Sequence, residues 1–111
     1  MFVIRTAGNV INDGELGTIE YAIEHLNIKT ILVLGHTNCG AVHAAIHNEK
    51  GKYLDPILSK IKLAIKDETD ELIASSLNAE SVKEYIKSKF PKYDGVVEKA
   101  IYDIKTGKVK F

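Results

Sequence analysis

One cysteine, one arginine, two prolines and no tryptophan stand in this chain of 111 residues, and each scarcity excludes something. With Cys39 alone there can be no internal disulfide, which suits a reducing compartment and makes the cytoplasm the expected location. Neither sign of charge is in excess: 15 basic residues face 15 acidic ones, so no net field draws the chain to nucleic acid or to an anionic membrane. No apolar run is long enough to span a bilayer and no signal-peptide pattern appears, since Met1 leads straight into strand-like residues. Arg5 is the only arginine, a shortage that bears on the site considered below. Apolar and charged contents of 45% and 27% are those of an ordinary soluble protein, and the length fits a single domain over residues 1–111.

The chemistry is concentrated in Ile31-Leu32-Val33-Leu34-Gly35-His36-Thr37-Asn38-Cys39-Gly40-Ala41-Val42. A buried-strand run ends in Gly35, and His36 and Cys39 follow three positions apart, where a helix is expected to begin. Such a junction fixes two ligands in space and aims backbone N–H groups beside them. An imidazole nitrogen and a thiolate together favour zinc. Two ligands are still an incomplete set.

Strand and helix patterns alternate along the rest of the chain. Phe2-Val3-Ile4 reads as a short strand, and Ala7-Gly8-Asn9 and Asn12-Asp13-Gly14 as turns. Leu16, Ile19, Ile23 and Leu26 fall at helical spacing and predict a helix over 15–26. Residues 30–35 form a continuous apolar strand of the kind covered on both faces of a parallel sheet. A helix is expected over 40–47. Asp55-Pro56 opens another, with Leu58, Ile61 and Ile65 inward. Residues 68–71 read as a solvated acidic loop, and 81–90 as a helix stopped by Pro91, with Lys83, Lys87 and Lys89 on its wet face. The C-terminal end reads as a hairpin, with strands at 100–104 and 109–111 about a turn at Lys105-Thr106-Gly107. The expected fold class is therefore α/β: a mostly parallel sheet, built on strands 2–4, 30–35 and 100–104 and covered by helices.

Three segments then carry a resemblance: Phe2-Val3-Ile4-Arg5-Thr6-Ala7-Gly8-Asn9, Gly17-Thr18-Ile19-Glu20-Tyr21-Ala22 and Val33 through Val42 around the His-x-x-Cys pair. In this order they resemble the β-class carbonic anhydrases, and the tail Ala100-Ile101-Tyr102-Asp103-Ile104-Lys105-Thr106-Gly107-Lys108-Val109 is similar to that family's closing strands. The resemblance implies zinc-dependent, reversible hydration of CO2 to bicarbonate, with the metal held by two cysteines and one histidine. His36 and Cys39 match two of those ligands. The family's other cysteine belongs to a Cys-x-Asp-x-Arg motif on a central strand, and neither a second cysteine nor an Asp-x-Arg pair occurs here. The chain thus looks like the C-terminal part of the family fold, truncated or degenerate at its N-terminus. It lacks that first central strand and the helices that wrap a partner subunit. The expectation is zinc held weakly or not at all, activity on CO2 weak or absent, and self-association into a homodimer or larger oligomer. A non-catalytic, zinc-binding or oligomerising remnant is the alternative.

Other residues carry two readings each. Gly40 is assigned to the substrate pocket, because the family's backbone N–H at that place faces it. Ala7, Gly8 and Asn9 resemble the family's loop beside the metal, and a turn needing special backbone angles describes them equally well. His43 and His47 follow Cys39 at four-residue intervals, so all three can share one helix face. Exposed histidines are the plainer reading. The alternative makes His43 a surrogate metal ligand, since helical side chains lean back toward the N-terminus. His25 reads as a surface residue near a helix C-terminus.

Overall fold

The computed structural model describes all residues, Met1–Phe111. After a short 3-10 turn at Ala7–Asn9, the order is α1 (Asp13–His25), β1 (Thr30–His36), α2 (Gly40–Ile46), α3 (Asp55–Ile65), α4 (Glu71–Lys89), β2 (Val96–Tyr102) and β3 (Val109–Lys110). The sheet runs β1-β2-β3. β1 and β2 are parallel, registered from Thr30 against Val96 to His36 against Tyr102. β3 closes a small antiparallel ladder on Ile101 and Tyr102. Parallel neighbours require a crossover, and α2, α3 and α4 supply it. The expected α/β class is the one observed. No helix is long and apolar enough to cross a membrane.

Two apolar clusters hold the layers together. Val10, Val42, Leu58, Ile61, Ile65 and Ala74 join α2 and α3 to the start of α4. Ile11, Ile19, Val33, Ala79 and Ile86 join α1 and the rest of α4 to β1. The inward stripe read from the sequence in α3 is correct: Leu58, Ile61 and Ile65 are all buried. At the other end of the fold, the Tyr93 hydroxyl donates to the Ile28 carbonyl, tying the α4–β2 turn to the start of β1. Burial, with Asp94 adding to it, raises the Tyr93 phenol above its ordinary range.

Three expectations need correction. Phe2, Val3 and Ile4 are in no strand, and all three are exposed. A strand needs a hydrogen-bonding neighbour, and these residues have none. Residues 30–35 are in a strand, but not one covered on both faces: Val33 is 6% exposed, whereas Leu32 and Leu34 are 44% and 41% exposed. β1 is also an edge strand. The Val96 N–H donates to the Lys29 carbonyl and the Thr37 N–H to that of Tyr102. Odd-numbered backbone groups of β1 therefore point at β2 and even-numbered ones at the open side. Finally, the helix expected over 81–90 begins ten residues earlier, at Glu71, where Asp70 caps it by accepting from the Ile73 N–H at 3.0 Å. Its buried residues are mostly small or polar (Ala74, Ser75, Asn78, Ala79), so no apolar stripe announces it.

Small residues let α4 lie close on β1: a Cβ on Gly35 would stand 2.9 Å from the Ile101 side chain and 3.7 Å from that of Ala79. The larger core residues carry the stability. Ile61 is fully buried, and Ile61→Ala is expected to destabilise the chain by about 2–5 kcal/mol in urea denaturation, with an unchanged dependence on denaturant.

Candidate metal centre

The turn from β1 into α2 is built by its own residues. Thr37 accepts the Ile104 N–H on its hydroxyl at 3.1 Å, which pins the turn to the β2–β3 connection. Asn38 takes a left-handed backbone with φ of 54°, a conformation asparagine tolerates better than most residues. The chain thereby doubles back, and Cys39, 9% exposed and unpaired, enters α2 with its carbonyl accepting from the His43 N–H. His36 ends β1 with its ring Nδ1 2.7 Å from the Thr37 carbonyl. A carbonyl only accepts, so Nδ1 carries the hydrogen and Nε2 keeps the lone pair a metal would use.

His36 and Cys39 line one cleft of about 30 Å³, together with Gly8, Asn9, Thr6 and Asn78. That volume suits a water-sized species and little more. The Asn9 amide donates to the Leu34 carbonyl at 3.2 Å, on the open side of β1. The Asn78 amide, buried in α4, donates to the Gly8 carbonyl at 2.7 Å. Gly8 has φ of 62°, and a Cβ there would stand 2.6 Å from Ile61 Cδ1 and 3.2 Å from the Ala41 methyl. The special-turn reading of Ala7, Gly8 and Asn9 and their place beside the candidate ligands thus describe one feature.

Not every residue singled out from the sequence converges here. Ala7 and Gly40 do not line the cleft, and a Cβ on Gly40 would meet nothing within 4 Å. His43 does not line it either; its Nδ1 is 2.9 Å from the Glu71 carboxylate and its ring lies on His47, so the surrogate-ligand reading gains nothing from this geometry. His25 stacks on Tyr21. Asn78 and Ser75, which also line the cleft, were not legible without the early start of α4. A larger cleft of about 340 Å³ lies elsewhere, between the end of α4 and the start of β2, and holds none of the candidate ligands.

Taken together, a parallel strand pair with a helical crossover and a His-x-x-Cys turn at the strand's carboxyl end define an α/β protein with a candidate metal-ligand pair. A sequence model of the carbonic anhydrase family matches residues 1–109. Carbonic anhydrase 2 of Mycobacterium tuberculosis is 61% identical over 46 residues, which are 41% of this chain and 22% of that protein. The Candida albicans carbonic anhydrase is 36% identical over 66 residues, 56% of this chain and 24% of its own length. Among solved structures, a tetrameric β-carbonic anhydrase of Sordaria macrospora superposes with a TM-score of 0.81 at 28% identity, covering 98% of this chain and 66% of that one. The Coccomyxa β-carbonic anhydrase, in complex with acetazolamide, gives the same score at 25% identity, covering 98% and 59%. The chain belongs to the β-class carbonic anhydrase family. Its match spans less than a quarter of these curated relatives and about three-fifths to two-thirds of these solved chains.

The donor set falls short of the family's metal. No group of three or more His, Cys, Asp or Glu side chains is placed to hold an ion, whereas a catalytic zinc takes three protein ligands and an open position. His36 and Cys39 alone therefore do not fit the family's zinc site.

The cleft depends on the Gly8 turn. Gly8→Ala should destabilise the chain by at least about 1–2 kcal/mol, the cost of a left-handed backbone with a side chain. Asn78→Ala should cost about 1–3 kcal/mol by stranding the Gly8 carbonyl. In both variants Cys39 should react faster with a thiol reagent, as the turn over it loosens.

Proposed function

We propose that this chain is a carbonic anhydrase-like protein whose own residues supply only part of the metal site, so that alone it hydrates CO2 far more slowly than a complete family member. Bicarbonate and CO2 are the substrates the family reading implies, and the cytoplasm is the compartment that suits a lone free thiol. The observation that carries the reading is that His36 and Cys39 share one small cleft with no third His, Cys, Asp or Glu beside them. Ligand number sets how firmly a metal stays, and groups around the ligands typically change affinity or activity by roughly 10–100-fold.

Zinc is the ion this pair favours, weakly held. Zinc content after purification without chelator should fall well below one per chain. It should decrease further as pH is lowered, because both ligands must shed protons to bind. Cys39→Ser should reduce it to background. Stopped-flow CO2 hydration by the zinc-loaded chain is expected to lie at least about 100-fold below a complete β-class enzyme, the upper end of that range. Turnover equal to the complete enzyme, abolished by His36→Ala, would sink the proposal.

An oligomerising role, the alternative, is favoured by the open edge of β1 and by Leu32, Leu34 and Val96, all exposed on one sheet face. Unpaired edges and apolar patches promote association. Light scattering should report a homodimer or larger assembly at micromolar concentration, and a monomer throughout would remove this reading.

A further inference from the structure

His43 in α2 and His47, the residue that caps its C-terminus, are one turn apart, and the carbonic anhydrase reading uses neither. Their rings lie 4.2 Å apart between centroids, tilted by 43°. Glu71, the first residue of α4, brings its carboxylate oxygen to 2.9 Å from His43 Nδ1. An ionised carboxylate only accepts, so Nδ1 carries the hydrogen and the neutral ring leaves its lone pair on Nε2. A metal-ligating histidine is typically held this way, by a carboxylate that fixes its tautomer and raises its basicity.

We propose that His43 and His47 form a second, surface metal site, a two-histidine chelate oriented by Glu71, for a nitrogen-preferring divalent ion such as Ni2+ or Cu2+. Two imidazoles bound through nitrogen at about 2.0–2.1 Å place their centroids about 4.5 Å apart at a right angle, and about 5 Å apart at the tetrahedral angle. The observed 4.2 Å lies within about 1 Å of both values, so a small parting of the rings brings the pair to chelating distance, and nitrogen donors suit Ni2+ and Cu2+. The backbone holds the two residues one helical turn apart, with the His47 N–H donating to the His43 carbonyl at 3.0 Å, so both side chains leave the same side of the helix end. No third His, Cys, Asp or Glu ligand joins the two rings, so water completes the coordination. The side chains of His43 and Glu71 are about half exposed, which leaves room for that water. The site shares no ligand with the His36–Cys39 cleft and stands whether or not that cleft holds zinc.

Ni2+ is the probe, and Cys39→Ser is the host, which removes the one thiolate that could compete. Calorimetric titration should show one Ni2+ per chain, and substoichiometric Ni2+ should broaden the His43 and His47 resonances first. His43→Ala and His47→Ala should each weaken binding at least tenfold. Glu71→Gln should weaken it about tenfold, the lower end of what an orienting carboxylate contributes, with circular dichroism unchanged. If Cys39→Ser does not fold, His36→Ala in the Cys39 chain serves as host for the same series. Binding as tight in His47→Ala as in the host, or broadening centred on His25 or the cleft, means an adventitious ion only and overturns the proposal.

Discussion

One buried amide holds the functional end of this molecule together. Asn78, inside α4, donates to the carbonyl of Gly8, and that single contact fixes a left-handed turn against the helix on which the sheet also packs. Gly8 can occupy the turn only without a side chain, because Ile61 of α3 and Ala41 of α2 fill the space a Cβ would take. Asn9, carried by the same turn, then reaches the Leu34 carbonyl of β1. One wall of the cleft, the α3 core and the open edge of β1 are thus coupled through two consecutive residues, Gly8 and Asn9. A buried amide in a helix is costly unless satisfied, and here it is satisfied by the one backbone carbonyl whose position matters most to the cleft.

What could be read from the sequence was whatever rests on local chemistry. The His36–Cys39 spacing, the strand before it and the helix after it were legible, because a strand-to-helix turn is written in adjacent residues. So were α1 and α3, whose isoleucines and leucines repeat at helical spacing. The first half of α4 was not legible, since a helix that packs through alanine, serine and asparagine shows no apolar period. Its cap, Asp70, stands within an acidic stretch that reads equally well as a loop. Phe2-Val3-Ile4 failed for the opposite reason: strand propensity was present, but pairing is a tertiary matter and no partner lies beside them. Asn78 belongs to the cleft only through a contact 70 positions away, which no local signal carries.

The same distinction explains how the two faces of β1 differ. Continuous apolar residues ordinarily signal a strand buried on both sides. Here α4 covers the side with Val33, while Leu32 and Leu34 look outward. The sequence pattern of the strand is that of a central strand, and its position in this chain is that of an edge.

The candidate ligand pair and the open edge occur at the same place. The even-numbered backbone groups of β1 face away from β2, and the strand ends on that side at His36, one of the two candidate ligands. In parallel α/β sheets, ligands gather beyond the carboxyl ends of the strands. A strand laid parallel on the open side of β1 would end beside His36 and the cleft, next to the candidate ligand pair. It would cover backbone groups that only Asn9 now satisfies with a side chain, at Leu34. Were the candidate pair to bind a metal, sheet completion and metal binding would be one cooperative event, because each would supply a partner that the other's groups lack.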